Sequence, residues 1–169
     1  MWGKFFIRCV FILLIQFFLV DKLEFLDICH PFIYVLILLV LPPVFPTLID
    51  MIIGATIGII ADSFYNTPGV HLAACVFIMF IRRYLIQDNP IQVERISERI
   101  SSDNIGRHRF RKYVLLSVIL HHFPIFFMNM GSFYHTYKVA LQILFSCLFT
   151  ISFILFYDFN VTKYAKNKF

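Results

Sequence analysis

Charge is scarce in this chain. Only 15% of its 169 residues are Asp, Glu, Lys or Arg, against 60% that are hydrophobic. A soluble core of this length needs a polar exterior, and too few residues are present to make one. Strict alternation of apolar and polar residues is also lacking, which argues against a transmembrane β-barrel. Cysteine is sparse and scattered. Cys9, Cys29, Cys75 and Cys147 form no C-x-x-C pair, so no disulfide framework or thiolate metal site is indicated, and small packing residues are the simpler reading. A phosphate-cradling glycine loop, an HExxH pair and a Ser/His/Asp arrangement are all missing from the sequence. No internal repeat stands out.

What is present is hydrophobic sequence in long blocks, with 22 phenylalanines. The blocks cover residues 5–20, 31–41, 47–61, 70–86, 113–130 and 137–157. Most are roughly 15–20 residues, about 23–30 Å as helix, which suits the hydrocarbon layer of a bilayer. The second is shorter and ends at Pro42-Pro43, so it either kinks through the prolines or is a broken span. The expected fold class is therefore all-α: a polytopic transmembrane helical bundle of about six spans, forming one integral membrane domain over residues 1–169. With six spans and both termini in the cytoplasm, 13 of the 15 Lys and Arg fall inside and only Lys22 and Lys138 outside, a strong positive-inside bias. The first block has basic residues before it but no small-residue cleavage site at its exit, Leu19-Val20-Asp21-Lys22, and reads as a retained signal anchor.

The net charge of +5 follows this inner face and does not indicate nucleic-acid binding. Arg82, Arg83, Arg107, Arg109, Arg111 and Lys112 are read as membrane-surface cations that fix orientation and can meet anionic headgroups. Residues 87–112 form the one sizeable cytoplasmic loop. Within it, Asn89 and Pro90 suit a helix start, and Val93, Ile96 and Ile100 keep helical spacing. That pattern fits a short amphipathic helix on the inner leaflet or against a partner, or a solvated loop with a single helical turn.

One stretch stands apart. Gly54, Gly58 and Asp62 fall at i, i+4 and i+8, on one stripe of a helix, and Asn66-Thr67-Pro68-Gly69 follows as a turn signal before His71. Small residues at that spacing let another backbone approach closely. We read Gly54, Gly58, Asp62, Asn66, Gly69 and His71 as a helix-packing or partner interface. Asp62 lacks a second acid for a protease dyad, since Asp50 lies about 18 Å away along the same helix. It either caps the turn or pairs with a partner's cation. Asp62→Asn is tolerated in the first case and loses function in the second. His121 and His122 lie mid-block, where interhelical hydrogen bonding, a proton or ligand role and metal binding are all open. They point about 100° apart, which disfavours a shared metal. His30, His71 and His135 read as interfacial residues near the outer ends. No cofactor, metal or catalytic residue is expected.

The run Gly54-x3-Gly58-x3-Asp62-Ser-Phe-x-Asn66-Thr67-x-Gly69-x-His71-x-Ala73-Ala74-x-Val76-Phe77-Ile78-x3-Arg82 resembles the central signature of the MreD family of rod shape-determining membrane proteins. His30-Pro31-Phe-Ile-Tyr34 with its leucine-rich run to Pro42 resembles that family's second-helix region, although His30 stands where a polar amide is expected. His121-His122-Phe123, Ser132-Phe133 and the run from Leu141 through Ser146 to Thr150 resemble its last hairpin. The likeness spans about residues 30–155. It implies a non-catalytic scaffold of the bacterial elongation complex in the cytoplasmic membrane. The implied partner is MreC, with MreB, RodA and a class B penicillin-binding protein reached indirectly. It also implies a fold similar to the S-components of energy-coupling-factor transporters, so the alternative is a small solute-binding transporter subunit.

Overall fold

A computed structural model describes residues 2–22, 29–86, 99–128 and 136–166. The described residues are 84% helix with no strands, in seven α-helices. They are α1 (Trp2–Ile15), which runs on as a π-helical turn (Gln16–Val20), α2 (Val35–Val40), α3 (Thr47–Tyr65), α4 (Val70–Ile86), α5 (Ser102–Ile105), α6 (Arg107–Met128) and α7 (Thr136–Lys166). Helix α4 packs against α3 on one side and α6 on another, and α6 packs in turn against α7.

The 31–41 block is a broken element. Only the six residues of α2 are α-helical, entered through i→i+3 turns from Phe32, Ile33 and Tyr34. Leu41 leaves the helix at φ −56°, ψ 129°, because the residue before a proline is pushed out of the α region. Short as it is, this segment is the centre of the molecule, with every residue from Ile33 to Leu41 at most 4% exposed. Its continuous apolar run is thus the mark of burial on all sides.

The other helices surround it and turn large apolar side chains outward. Phe6, Ile7, Phe11 and Phe18 are exposed before or within the π turn, Leu48, Ile52 and Ile59 on α3, and Leu148, Phe156 and Phe159 on α7. Two described helical stretches, Thr47–Tyr65 and Tyr137–Tyr164, are long and apolar enough to cross a membrane. Two boundaries differ from expectation. Helix α6 starts at Arg107, six residues before the apolar block, and α7 runs past Tyr157 to Lys166. The expected amphipathic helix over residues 90–100 falls mostly outside the described residues. Of its apolar positions only Ile100 is described. It is fully buried and its N–H bonds Val40 O at 3.2 Å, so it belongs to the core.

Candidate functional site

The antiparallel hairpin of α3 and α4 holds most of the residues singled out by pattern. The glycine stripe is where the two helices touch. A Cβ on Gly58 would lie 2.5 Å from Leu72 Cα and 2.8 Å from Leu72 N. One on Gly54 would lie 2.7 Å from Met79 Cγ and 3.0 Å from Cys75 O. The glycines therefore serve close packing inside the chain, and both are buried, so they present no face to another chain.

Acids bracket that stripe. At its far end Asp62 reaches across the turn to the start of α4. Its Oδ1 accepts from Thr67 Oγ1 (3.0 Å) and His71 N (2.9 Å), and its Oδ2 from Gly69 N (3.1 Å) and Leu72 N (3.0 Å). A helix N-terminus leaves backbone N–H groups without partners and carries partial positive charge, so a carboxylate there satisfies both needs. Asp62 is the cap of α4, supplied from α3. The turn between them needs left-handed backbone twice, and the sequence supplies Asn66 (φ 52°) and Gly69 (φ 86°). Both carboxylate oxygens are engaged. Asparagine therefore would not be tolerated here as a simple cap, since in either orientation its NH2 would face at least one of the backbone N–H donors. Asp62→Asn is expected to cost about 1–2 kcal/mol and Asp62→Ala somewhat more. Thermal unfolding of the solubilised protein would read this, and an unchanged midpoint would remove the cap assignment.

At the near end Asp50, one more step of four along the stripe, pairs with Arg82 of α4. Arg82 Nη2 and Nε donate to Asp50 Oδ2 at 2.7 and 3.2 Å, and both side chains have 0% exposure. The guanidinium also donates to Leu41 O (2.9 Å), Leu38 O (3.2 Å) and Pro42 O (3.4 Å). Those are carbonyls that the broken helix α2 leaves unpaired. Arg82 was expected at a membrane surface, and this is a correction. It is a buried structural cation, held inward by a buried acid and by carbonyls freed at the proline stop. Arg83 is partly exposed, 3.8 Å from Asp50 Oδ2, and donates to the carbonyls of Pro43 and Phe45. Arg107, Arg109, Arg111 and Lys112 lie exposed on the first turns of α6.

A second polar layer holds the start of the 31–41 block. Gln16 of the π turn donates to Pro31 O (3.0 Å) and Tyr65 Oη (2.8 Å) and accepts from Ile33 N (2.6 Å). His30 N and Phe32 N donate to Ser146 Oγ (2.8 Å) and Thr150 Oγ1 (3.2 Å) of α7. His121 and His122 belong here, and they point to different neighbours. His122 Nδ1 lies 2.9 Å from Val118 O, so it carries the proton, and Nε2 accepts from Thr150 Oγ1 at 3.3 Å. His121 Nε2 lies 3.1 Å from Tyr34 Oη, which is also 2.7 Å from His71 Nδ1. One hydroxyl has one proton to give, so one of these imidazoles donates to it.

His71 is 1% exposed, stacked on Tyr65 at 4.9 Å, and is therefore a core residue instead of the interfacial one expected. His30 packs its ring 6.3 Å from Phe126, and His135 lies outside the described residues. Among the described residues no three His, Cys, Asp or Glu gather in a way that could hold a metal. The cavity beside Gln16, His30 and Tyr65 measures about 10 Å³, room for about one water.

Pattern reading passed over Gln16, Tyr34, Tyr65, Asp50 and the hydroxyls of α7 as working residues. Asp50 carried a signal, since it extends the stripe of Gly54, Gly58 and Asp62 by one helical step. Gln16 carried another, as the one amide inside the first apolar block. The two layers are about 16 Å apart by the rise of α4 from His71 to Arg82. They divide the element ends into two groups, and the 31–41 segment runs from one to the other. No protein-family model matches the chain, nor does any curated protein or solved structure compared with it.

Proposed function

We propose that the chain is a multi-pass protein of the bacterial cytoplasmic membrane and a MreD-like, non-catalytic scaffold of the elongation complex, with both termini in the cytoplasm. The observation that carries this reading is the α3–α4 hairpin. The residues on which the MreD resemblance rests, Gly54, Gly58, Asp62, Asn66, Gly69, His71 and Arg82, make one device: two helices seated at glycines, capped by Asp62 at one end and tied by Asp50–Arg82 at the other. Asp62, His71 and Arg82 spend their hydrogen bonds on building the fold, which fits a structural role. Membrane residence draws support from the outward phenylalanines and leucines and the two long apolar helices. The six-span arrangement draws support from the division of element ends into two groups and from the positive-inside bias.

In this reading the partner is a single-span protein of the MreC kind, through which MreB, RodA and a class B penicillin-binding protein are engaged. The part of the motif left for it is the hairpin tip. An open groove of about 430 Å³ there is lined by Ile59, Asp62, Ser63, Asn66, Pro68, Gly69 and Leu72. Co-expression with a MreC-like partner is expected to give a complex that co-purifies in mild detergent, and Ser63→Arg, on an exposed helical position of that groove, is expected to weaken it without loss of the folded chain. Failure to co-purify, together with a rise of several degrees in melting temperature on adding a small solute, would favour a solute-binding subunit instead.

A further inference from the structure

Beside Arg82's end of the bundle, the first turns of α6 and the last turns of α7 leave a cleft of about 490 Å³. Three exposed cations line it: Arg107 and Arg111, one helical step apart on α6, and Lys163 on α7. None of the three forms an ion pair among the described residues. Apolar surface shares the cleft, from Leu155, which is half-buried, and Phe159, which is 61% exposed, while Phe110 closes the floor. Two acids share the walls, Asp103 and Asp158. Asp158 is 4% exposed and already engaged, its Oδ1 accepting from Ser102 N at 3.3 Å and lying 3.8 Å from Arg99 Nη1. It holds the approach to α6 in place and leaves the cations facing the cleft.

Cations on two walls with an apolar strip between them suit a ligand that is anionic at one end and hydrocarbon at the other. We propose that this cleft binds an anionic phospholipid of the inner leaflet, its phosphate among Arg107, Arg111 and Lys163 and an acyl chain along Leu155 and Phe159. The proposal rests on the membrane reading above. A free phosphate would satisfy the cations but would gain nothing from the apolar strip. Two cations near a charged headgroup are each worth about 1 kcal/mol, so removing both is expected to weaken binding roughly tenfold or more.

The test uses the full chain in detergent with a defined mixture of phosphatidylglycerol and phosphatidylcholine, read by native mass spectrometry. The parent chain is expected to retain phosphatidylglycerol preferentially. The double variant Arg111→Gln/Lys163→Gln is expected to lose that preference, and Lys163→Arg to keep it. Lys112→Gln, changed outside the cleft on the same surface, separates a site from diffuse attraction. If it weakens retention as much as the double variant does, the proposal falls. If inorganic phosphate or soluble glycerophosphate displaces the lipid at equal concentration, the ligand is a soluble anion and the lipid assignment falls. Melting temperature in phosphatidylcholine alone verifies that each variant is folded, and Lys163→Glu supplies a second loss-of-charge variant should the double variant fail that check. Alkaline carbonate extraction of the parent separates the two levels. Release from the membrane overturns the membrane reading, whereas retention in the membrane without lipid preference overturns this site alone.

Discussion

Arg82→Leu is expected to destabilise the fold by about 3–5 kcal/mol, enough to leave little folded protein on solubilisation. Two costs combine. Asp50 is left with no exposure to water and without both N–H donors of Arg82, and the carbonyls of Leu38, Leu41 and Pro42 lose theirs. The second cost makes the prediction specific. An ordinary buried ion pair can often be replaced on both sides by apolar residues with little loss. Here Asp50→Leu/Arg82→Leu is expected to recover only part of the stability, because the broken end of α2 still lacks donors. Arg82→Lys should fall between, since one ammonium cannot span the carboxylate and three carbonyls as the planar fork does. A double-mutant cycle on the unfolding midpoint checks this, and full recovery in the double variant would show that the carbonyl contacts contribute nothing.

The second large effect is at Gly58. A methyl group there meets backbone, Leu72 Cα at 2.5 Å and His71 O at 2.9 Å, and backbone cannot rotate away. Helices α3 and α4 must separate, and that also draws Asp62 from the amides it caps. Gly58→Ala is expected to cost about 3 kcal/mol and Gly58→Leu more, despite the gain in helix propensity. Gly54→Ala should be milder, about 1 kcal/mol, because its nearest neighbour is the side chain of Met79, which has other rotamers. The order Gly58 above Gly54 in unfolding measurements is the check, and the reverse order would mean the two helices are seated differently.

Much of this hairpin was legible beforehand. The i, i+4, i+8 spacing places Gly54, Gly58 and Asp62 on one face, and Asn66 and Gly69 stand where left-handed backbone is needed. Asp62's capping role is equally local, because its partners lie within ten residues. Arg82 was not legible. Composition and the positive-inside rule treat every cation near a block's end alike. Only the register of α4 against α3 shows that residue 82 falls opposite residue 50. The 31–41 block was ambiguous for a similar reason. Its prolines mark where the helix stops, but nothing local says that the freed backbone groups find donors on α4 and α6 and acceptors on α7. Polar residues within the apolar blocks, Gln16, Tyr34 and Thr150 among them, take their meaning from partners at distances of tens of residues.

That broken central segment has a consequence for how the protein is made. Residues 30–41 leave the ribosome early, yet the side chains that complete their backbone come later: Arg82, then Tyr113, which donates to Leu39 O, then Ser146 and Thr150, which accept from His30 N and Phe32 N. In the membrane setting proposed above, the second segment has no settled place in hydrocarbon until the last helix has been synthesised. Synthesis runs from the amino terminus, but this part of the assembly must close from the carboxyl terminus inward. Chains truncated before Ser146 should therefore leave the 31–41 segment open to proteolysis, although every residue of that segment is present.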